Sequence, residues 1–444
     1  MLNSKYNANN IDFRNKQNYM TDILIISFMI IASKIINSSS IMYILLIYLS
    51  INIIKNDFEY FFYVALILMP SMGVIFAPGL PIPIINILAV VSLISLIIIK
   101  KSNIILDKNL TLISFIFIMY EWIHCILYDA YSFISLLTWT CIIIYITIFL
   151  SNNRTKYNHE VSIKYFISGV IVSTIYGLYN KYLLTRSITK IFLSTNMTDR
   201  FIGASGDPNY YSMYVLLAIF SIVLLVDKKY LNTKKVWYSI IFCILLFMGF
   251  MSLSRMYILV TIISLIIYIS IVILGMKKYR YQRKFLAIIL IITVPLLIIG
   301  KDSIINNINL IILRITENIN DSTSLFSNRD ILMDKYITFL NQNILYFIFG
   351  VGIQKYYIRV GSSYAHNIII ELITCLGIVG TIGFVLYLLA IFKKEIINVK
   401  FKKIKILNWI PILSMSICFL SVNAIEVEAF YILLIYTIKN ISYT

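Results

Sequence analysis

His366 stands in Ala365-His366-Asn367, directly ahead of a long apolar run that passes through Gly377, Gly380 and Gly383. The amino terminus of a helix disfavours positive charge. A neutral imidazole there can act as a general base on a hydroxyl. Arginines precede it in the chain. Arg200 lies in Asp199-Arg200-Phe201-Ile202-Gly203, Arg255 ends Ser252-Leu253-Ser254-Arg255, and Arg314 and Arg329 fall in the polar connection leading to His366. A guanidinium offers a phosphate a bidentate fork. The chemistry these types suggest is a phosphate clamp beside a base.

Plainer roles compete for some of these residues. Asp207 and Pro208, in Gly206-Asp207-Pro208-Asn209, read equally well as the cap and first residue of a helix. Arg255, between two apolar runs, reads also as a snorkelling anchor. Asn209 belongs to the same polar set as a substrate contact, and Asn367 and Glu371, four apart on one helix face, are placed to orient substrates, Glu371 lying deeper where a structural role competes. Glu121 and His124, three residues apart in an apolar run, form a second candidate pair. Glu426 and Glu428 mark a turn between the last two runs, where they bind an acceptor or face water. The three glycines after His366 imitate part of a nucleotide fingerprint, but no strand precedes them, and close helix packing explains them better.

The elements that must position these residues are membrane helices. The chain is 60% hydrophobic with a mean hydropathy of +0.88. Apolar runs fall near 22–37, 40–55, 59–76, 83–99, 110–128, 133–150, 162–183, 208–226, 236–251, 255–275, 285–300, 365–392, 407–423 and 427–439. They lack the in/out alternation of a membrane barrel. The expected fold is therefore all-α, a polytopic bundle of about 12–14 transmembrane helices. Residues 1–21 read as a cytoplasmic tail, 22–300 as a transmembrane bundle with an outer loop near 184–206, 301–364 as one large extracytoplasmic loop, and 365–444 as C-terminal transmembrane helices. Within the large loop, Leu310, Ile311, Ile312 and Leu313, then Ile331, Leu332, Tyr336, Phe339 and Leu340, recur at roughly helical spacing, with Ser327 as a cap. Two or three amphipathic helices are expected on the outer face.

The net charge of +18 would suggest nucleic acid in a soluble protein. Here most Lys and Arg fall in alternate loops, which fixes the amino terminus inside and gives no reason to expect a nucleic-acid partner. This orientation puts Arg200, Asp207, Asn209, Arg255, Arg314, Arg329 and His366 on the outer face. The five cysteines all fall inside apolar runs, without metal-ligand spacing. With three histidines and no Cys/His cluster, neither a metal nor a cofactor is expected. No internal repeat is visible, which disfavours many transporter designs.

Three stretches together resemble the O-antigen polymerase and O-antigen ligase family of bacterial membrane glycosyltransferases. They are Arg200-Phe-Ile-Gly-Ala-Ser-Gly-Asp207-Pro208-Asn209; Ser254-Arg255; and Arg329 through Phe349-Gly350-Val351-Gly352 to Ala365-His366-Asn367, Glu371 and Leu376-Gly377-Ile378-Val379-Gly380. The resemblance covers about residues 195–392, and the first half of the chain matches only as a run of spans. It departs at Met256 and Tyr257, where the family has small residues. The resemblance implies an enzyme of the cytoplasmic (inner) membrane with an extracytoplasmic active site. Its donor would be an undecaprenyl-pyrophosphate-linked oligosaccharide and its acceptor a glycan or lipid-linked sugar. A polysaccharide chain-length regulator would be a partner. Arg255 and Arg329 would hold the pyrophosphate and His366 would be the base or position the acceptor; Arg200 and Asn209 carry over more weakly. The expected activity is polymerisation of surface-polysaccharide repeat units, as in O-antigen or capsule, with inversion at the anomeric carbon. The alternatives are ligation to a lipid A core, a glycolipid flippase, and a non-enzymatic assembly protein.

Overall fold

The computed structural model describes residues 3–80, 82–99, 106–128, 133–152, 157–187, 200–226, 232–275, 278–299, 301, 305, 306, 308–310, 312, 329–397, 405–420, 422 and 427–441. These form helices α1 (Asn3–Ile35), α2 (Ser39–Lys55), α3 (Tyr60–Leu68), α4 (Ile84–Ile94), α5 (Lys108–Leu127), α6 (Phe133–Ser151), α7 (His159–Thr185), α8 (Pro208–Val226) and α9 (Asn232–Phe250). Then come α10 (Arg255–Leu274), α11 (Arg280–Ile299), α12 (Arg329–Gln342), α13 (Ile344–Phe349), α14 (Tyr356–Val360), α15 (Ile368–Phe392), α16 (Ile410–Cys418) and α17 (Glu428–Ile441). Among the described residues there is no strand, only an isolated antiparallel bridge between Phe76 and Pro83. The fold is the all-α, multi-pass type that the hydropathy requires.

Six described helices, α5, α6, α7, α8, α10 and α15 with its continuation to Ile396, are long and apolar enough to cross a bilayer. The apolar helices α2, α3, α4 and α16 are shorter. A helix can cross hydrocarbon because its backbone hydrogen bonds close within the segment. Helix α8 is buried along nearly its whole length, packed by α7, α9, α10 and α16. Helices α10 and α15 instead expose apolar stripes, including Ile262 and Ile266 on one and Ile382 and Leu389 on the other. Side chains of this kind face lipid at no solvation cost.

Buried polar contacts fix how the helices meet. Asp22 of α1 accepts hydrogen bonds from the hydroxyls of Tyr48 (2.7 Å), Tyr60 (2.7 Å) and Tyr165 (2.5 Å), joining α1 to α2, α3 and α7. Lys394, just beyond α15, reaches the Asp107 carboxylate at 3.1 Å, and Asp107 also caps α5 through the Leu110 amide. Lys439 of α17 pairs with Glu395 at 2.8 Å.

The segment expected as a cytoplasmic tail is helical from Asn3, where α1 begins and runs unbroken into the first apolar run. In the connection before His366, α12 contains Ile331, Tyr336, Phe339 and Leu340, whose spacing predicts a helix, and the short α13 and α14 follow it. Ile311, Leu313, Arg314, Ser327 and Glu426 lie outside the described residues.

Candidate functional site: a polar junction at the starts of three helices

The segment ahead of α8 and the turn between α9 and α10 close on one another. The Arg200 guanidinium donates from Nε to the Ser252 carbonyl at 3.0 Å and from Nη2 to the Asn209 side-chain oxygen at 3.1 Å. The same Asn209 oxygen accepts from the Ser254 hydroxyl at 3.0 Å, and the Phe201 amide donates to the Met251 carbonyl. Asn209 is thus the knot that joins the first two sequence stretches. Asp207 caps α8 by accepting from the Asn209 and Tyr210 amides at 2.7 and 3.1 Å, which supports the plainer of its two roles. Ser254 caps α10, so Arg255 is the first residue of that helix, half-buried beside the knot. Leu253, just before, holds a left-handed φ of 50° although it is not glycine. Backbone strain of this kind costs about 1–3 kcal/mol and persists where neighbours enforce it.

Room for this turn comes from Gly249. A Cβ there would sit 2.2 Å from the Tyr257 ring. The large Tyr257, which departs from the small residues of the resembling family, is thus accommodated by a glycine one helix away.

His366 is not on the first turn of α15 but one residue before its cap, also in the left-handed region at φ 50°. Asn367 is the cap, its side-chain oxygen accepting from the Ile369 and Ile370 amides at 2.9 and 3.4 Å. That oxygen is engaged by the backbone. Ahead of His366, the Ala365 amide donates to the Tyr356 hydroxyl at 3.3 Å, and the Tyr336 hydroxyl donates to the Ser363 carbonyl at 2.7 Å. Burial, and then the Glu371 carboxyl, hold the Tyr356 hydroxyl above its ordinary pKa, so it stays protonated. Tyr336 belongs to α12, whose first residue is Arg329. The side chain of Arg329 lies outside the described residues, as does all of Arg314.

Glu371 connects the His366 segment to the Asn209 knot. It is fully buried one turn into α15, and it interacts electrostatically with Tyr210, the residue after Asn209, as well as with Tyr356 and Tyr431. Tyr210 interacts in the same way with Asp207 and Tyr364. The starts of α8 and α10 therefore meet in one polar junction holding Arg200, Asp207, Asn209, Ser254 and Arg255, and Glu371, one turn into α15, acts electrostatically on Tyr210 beside it. Tyr210, Tyr356 and Tyr364 join this set without having stood out in the sequence, where tyrosines are too common to signal anything.

The second pair, Glu121 and His124, has a different task. Glu121 accepts from the Ile353 amide at 2.8 Å. The two His124 ring nitrogens lie 2.8 Å from the Tyr120 and Phe349 carbonyls. Arg359 donates to the Val351 and Tyr128 carbonyls. Together they clamp the Gly350-Val351-Gly352 turn against α15. The turn docks there because α15 is broken at Gly377, with φ 61°, which lets the Thr374 and Cys375 carbonyls accept from the Val351 and Gly352 amides at 2.9 and 2.8 Å. Backbone that leaves the helical ladder at membrane depth needs such partners. Gly377 therefore serves a break rather than packing alone. Gly380 does serve close packing, since a Cβ there would meet the Tyr120 ring at 2.6 Å, whereas at Gly383 it would meet open space.

Three cavities surround the junction. One of about 460 Å³ carries Arg200, Lys181 and Asn180. A second, of about 320 Å³, is an apolar groove between α9, α10 and α11, lined by Phe247, Phe250, Tyr257, Ile258 and Ile262, its α10 residues beginning two positions after Arg255. The third, of about 310 Å³, has Tyr364, Asn86 and Glu428 in its wall. Among the described residues no group of three His, Cys, Asp or Glu is placed to hold a metal ion. No protein-family model matches the chain, and no curated protein or solved structure matches it either.

Proposed function

We propose that this protein is a membrane glycosyltransferase that polymerises surface-polysaccharide repeat units, of the O-antigen or capsule kind, from an undecaprenyl-pyrophosphate-linked donor. The observation that carries the reading is the succession of unlike surfaces at the start of α10. A cationic, hydrogen-bonding set of Arg200, Asn209, Ser254 and Arg255 at the start of α10 is followed along the same helix by an apolar groove whose lining begins at Tyr257. A lipid diphosphate has this same polarity, with a charged head on a long apolar tail. The amino termini of α8 and α10 contribute partial positive charge at the same place.

In the proposed reaction the donor diphosphate rests against the arginines. An acceptor hydroxyl attacks the anomeric carbon from the face opposite the leaving group. The new C–O bond forms as the bond to the diphosphate breaks, and the configuration inverts. His366 takes the hydroxyl proton, and undecaprenyl diphosphate leaves with the electron pair. Diphosphate is a good leaving group, so the largest contribution asked of the protein is fixed positive charge where negative charge develops.

The test is transfer by purified protein in lipid nanodiscs supplied with carrier-linked repeat units. Wild type should lengthen the glycan, and His366→Ala should lose about 10²–10⁴-fold in rate, the usual worth of a general base. Absence of elongation by wild type, with donor and acceptor both present, would remove the reading. Transfer to a lipid A core instead of to carrier-linked glycan would redirect it to a ligase.

A further inference from the structure

Two of the cavities at the end of the bundle that holds the junction differ in charge. The Arg200 cavity carries two cations, Arg200 and Lys181. The other is formed where α4, α6 and α17 start beneath the Gly352–Tyr364 segment. Its polar lining is Asn86, Ser135, Thr138, Gln354, Tyr364 and Glu428, with no lysine or arginine. We propose that this second cavity is the acceptor subsite, holding an uncharged or amino sugar of the growing glycan by its hydroxyl groups. The proposal rests on the transferase reading and adds to it where the second substrate binds.

The first argument is sorting by charge. A diphosphate placed in this cavity would find no cation in the wall to offset its charge. A sugar hydroxyl both donates and accepts, and amides, hydroxyls and a carboxylate answer it on both counts. The second argument is an unmet bond. Asn86 is 3% exposed and donates from its side-chain nitrogen to Glu428 at 2.8 Å and to Thr138 at 3.2 Å. Its side-chain oxygen is buried without a hydrogen-bond partner. A buried acceptor left without a donor is costly, and the group that would supply one is a hydroxyl or a water. The third argument is position. Tyr364 lies in the cavity wall and precedes His366 by two residues, and it interacts electrostatically with Tyr210 of the junction. The cavity wall therefore includes the segment that leads directly into the proposed base. Its volume, about 310 Å³, is at the small end of the usual ligand range of roughly 300–1,000 Å³, enough for a terminal sugar rather than a whole repeat unit.

The decisive measurement is the Michaelis constant for each substrate in three variants. Ser135→Trp fills the cavity without touching the Asn86 links; Asn86→Ala removes the unsatisfied acceptor; Glu428→Gln keeps shape while removing charge. The expected result is a rise of about tenfold in the acceptor KM for Ser135→Trp and Asn86→Ala, with the donor KM within about twofold of wild type. An unchanged acceptor KM in Ser135→Trp, in protein that still transfers sugar, overturns the subsite and leaves the transferase reading standing. If wild type transfers no sugar, the readout becomes direct binding, by calorimetry, of the free oligosaccharide released by mild acid from the host's surface polysaccharide. Binding that Ser135→Trp weakens tenfold supports a sugar site apart from the reaction, and equal binding to both, or none to wild type, overturns it.

Discussion

The Asn209 side-chain oxygen receives both the Arg200 guanidinium and the Ser254 hydroxyl, so one small amide sets the distance between two loops. Its loss should be felt through both partners. Asn209→Ala is expected to slow sugar transfer by about 10²-fold, while Asn209→Asp keeps the acceptor oxygen and retains most activity. Arg255 acts more directly in the proposed reaction. Arg255→Ala should abolish transfer, and Arg255→Lys should restore only part of it, since an ammonium cannot reproduce the planar fork. Single-turnover assays with enzyme in excess over the donor measure both effects, and a normal rate in Arg255→Ala would take that residue out of the site.

At the scale of elements, the break in α15 is the feature on which the outer loop depends. Gly377 holds φ 61°, and a Cβ there would lie 2.4 Å from the Ile348 carbonyl. Gly377→Ala must therefore either straighten the helix or push the Gly350-Val351-Gly352 turn away, and a destabilisation of about 1–3 kcal/mol or more is expected. Gly383→Ala, six residues on in the same helix and in open space, should be neutral or slightly stabilising because alanine favours a helix. Thermal unfolding of the two variants in the same detergent compares them; equal transitions would mean that the break does not hold the loop. The clamp under the turn has its own signature. Glu121→Gln keeps an acceptor for the Ile353 amide, so it should keep far more stability than Glu121→Leu.

At the scale of the whole molecule, the starts of α4, α6, α8, α10, α15 and α17 all lie at the end that holds the junction and its cavities. Lys394 and Lys439 lie at the other end, paired with Asp107 and Glu395. The proposed orientation, with this second end in the cytoplasm, rests on the charge bias of the sequence. In a cysteine-free background, Ser363→Cys should react with a membrane-impermeant maleimide added to intact cells, and Lys278→Cys only after permeabilisation. The reverse pattern would put the junction inside and end the proposal of an extracytoplasmic transferase.

The amino-acid sequence by itself determined the fold class and where nearly every helix lies. Each apolar run from 22–37 to 427–439 has a helix within it, because in hydrocarbon a segment must close its own backbone hydrogen bonds, a requirement written in local composition. It also determined the cap at Asp207, which depends on neighbours two or three residues away, whereas Asn367, read from the sequence as a substrate contact, is a cap that only the structure showed. The tertiary structure alone decided which polar residues share a site. Asn209 meets Ser254 across 45 residues, and Glu121 meets Ile353 across 232. No pattern along the chain carries that pairing, since it depends on how lipid-soluble helices pack side by side. Asn86 and Glu428, separated by 342 residues, are the extreme case: one lies unnoticed inside an apolar run, and only packing gives it a partner and a cavity to face.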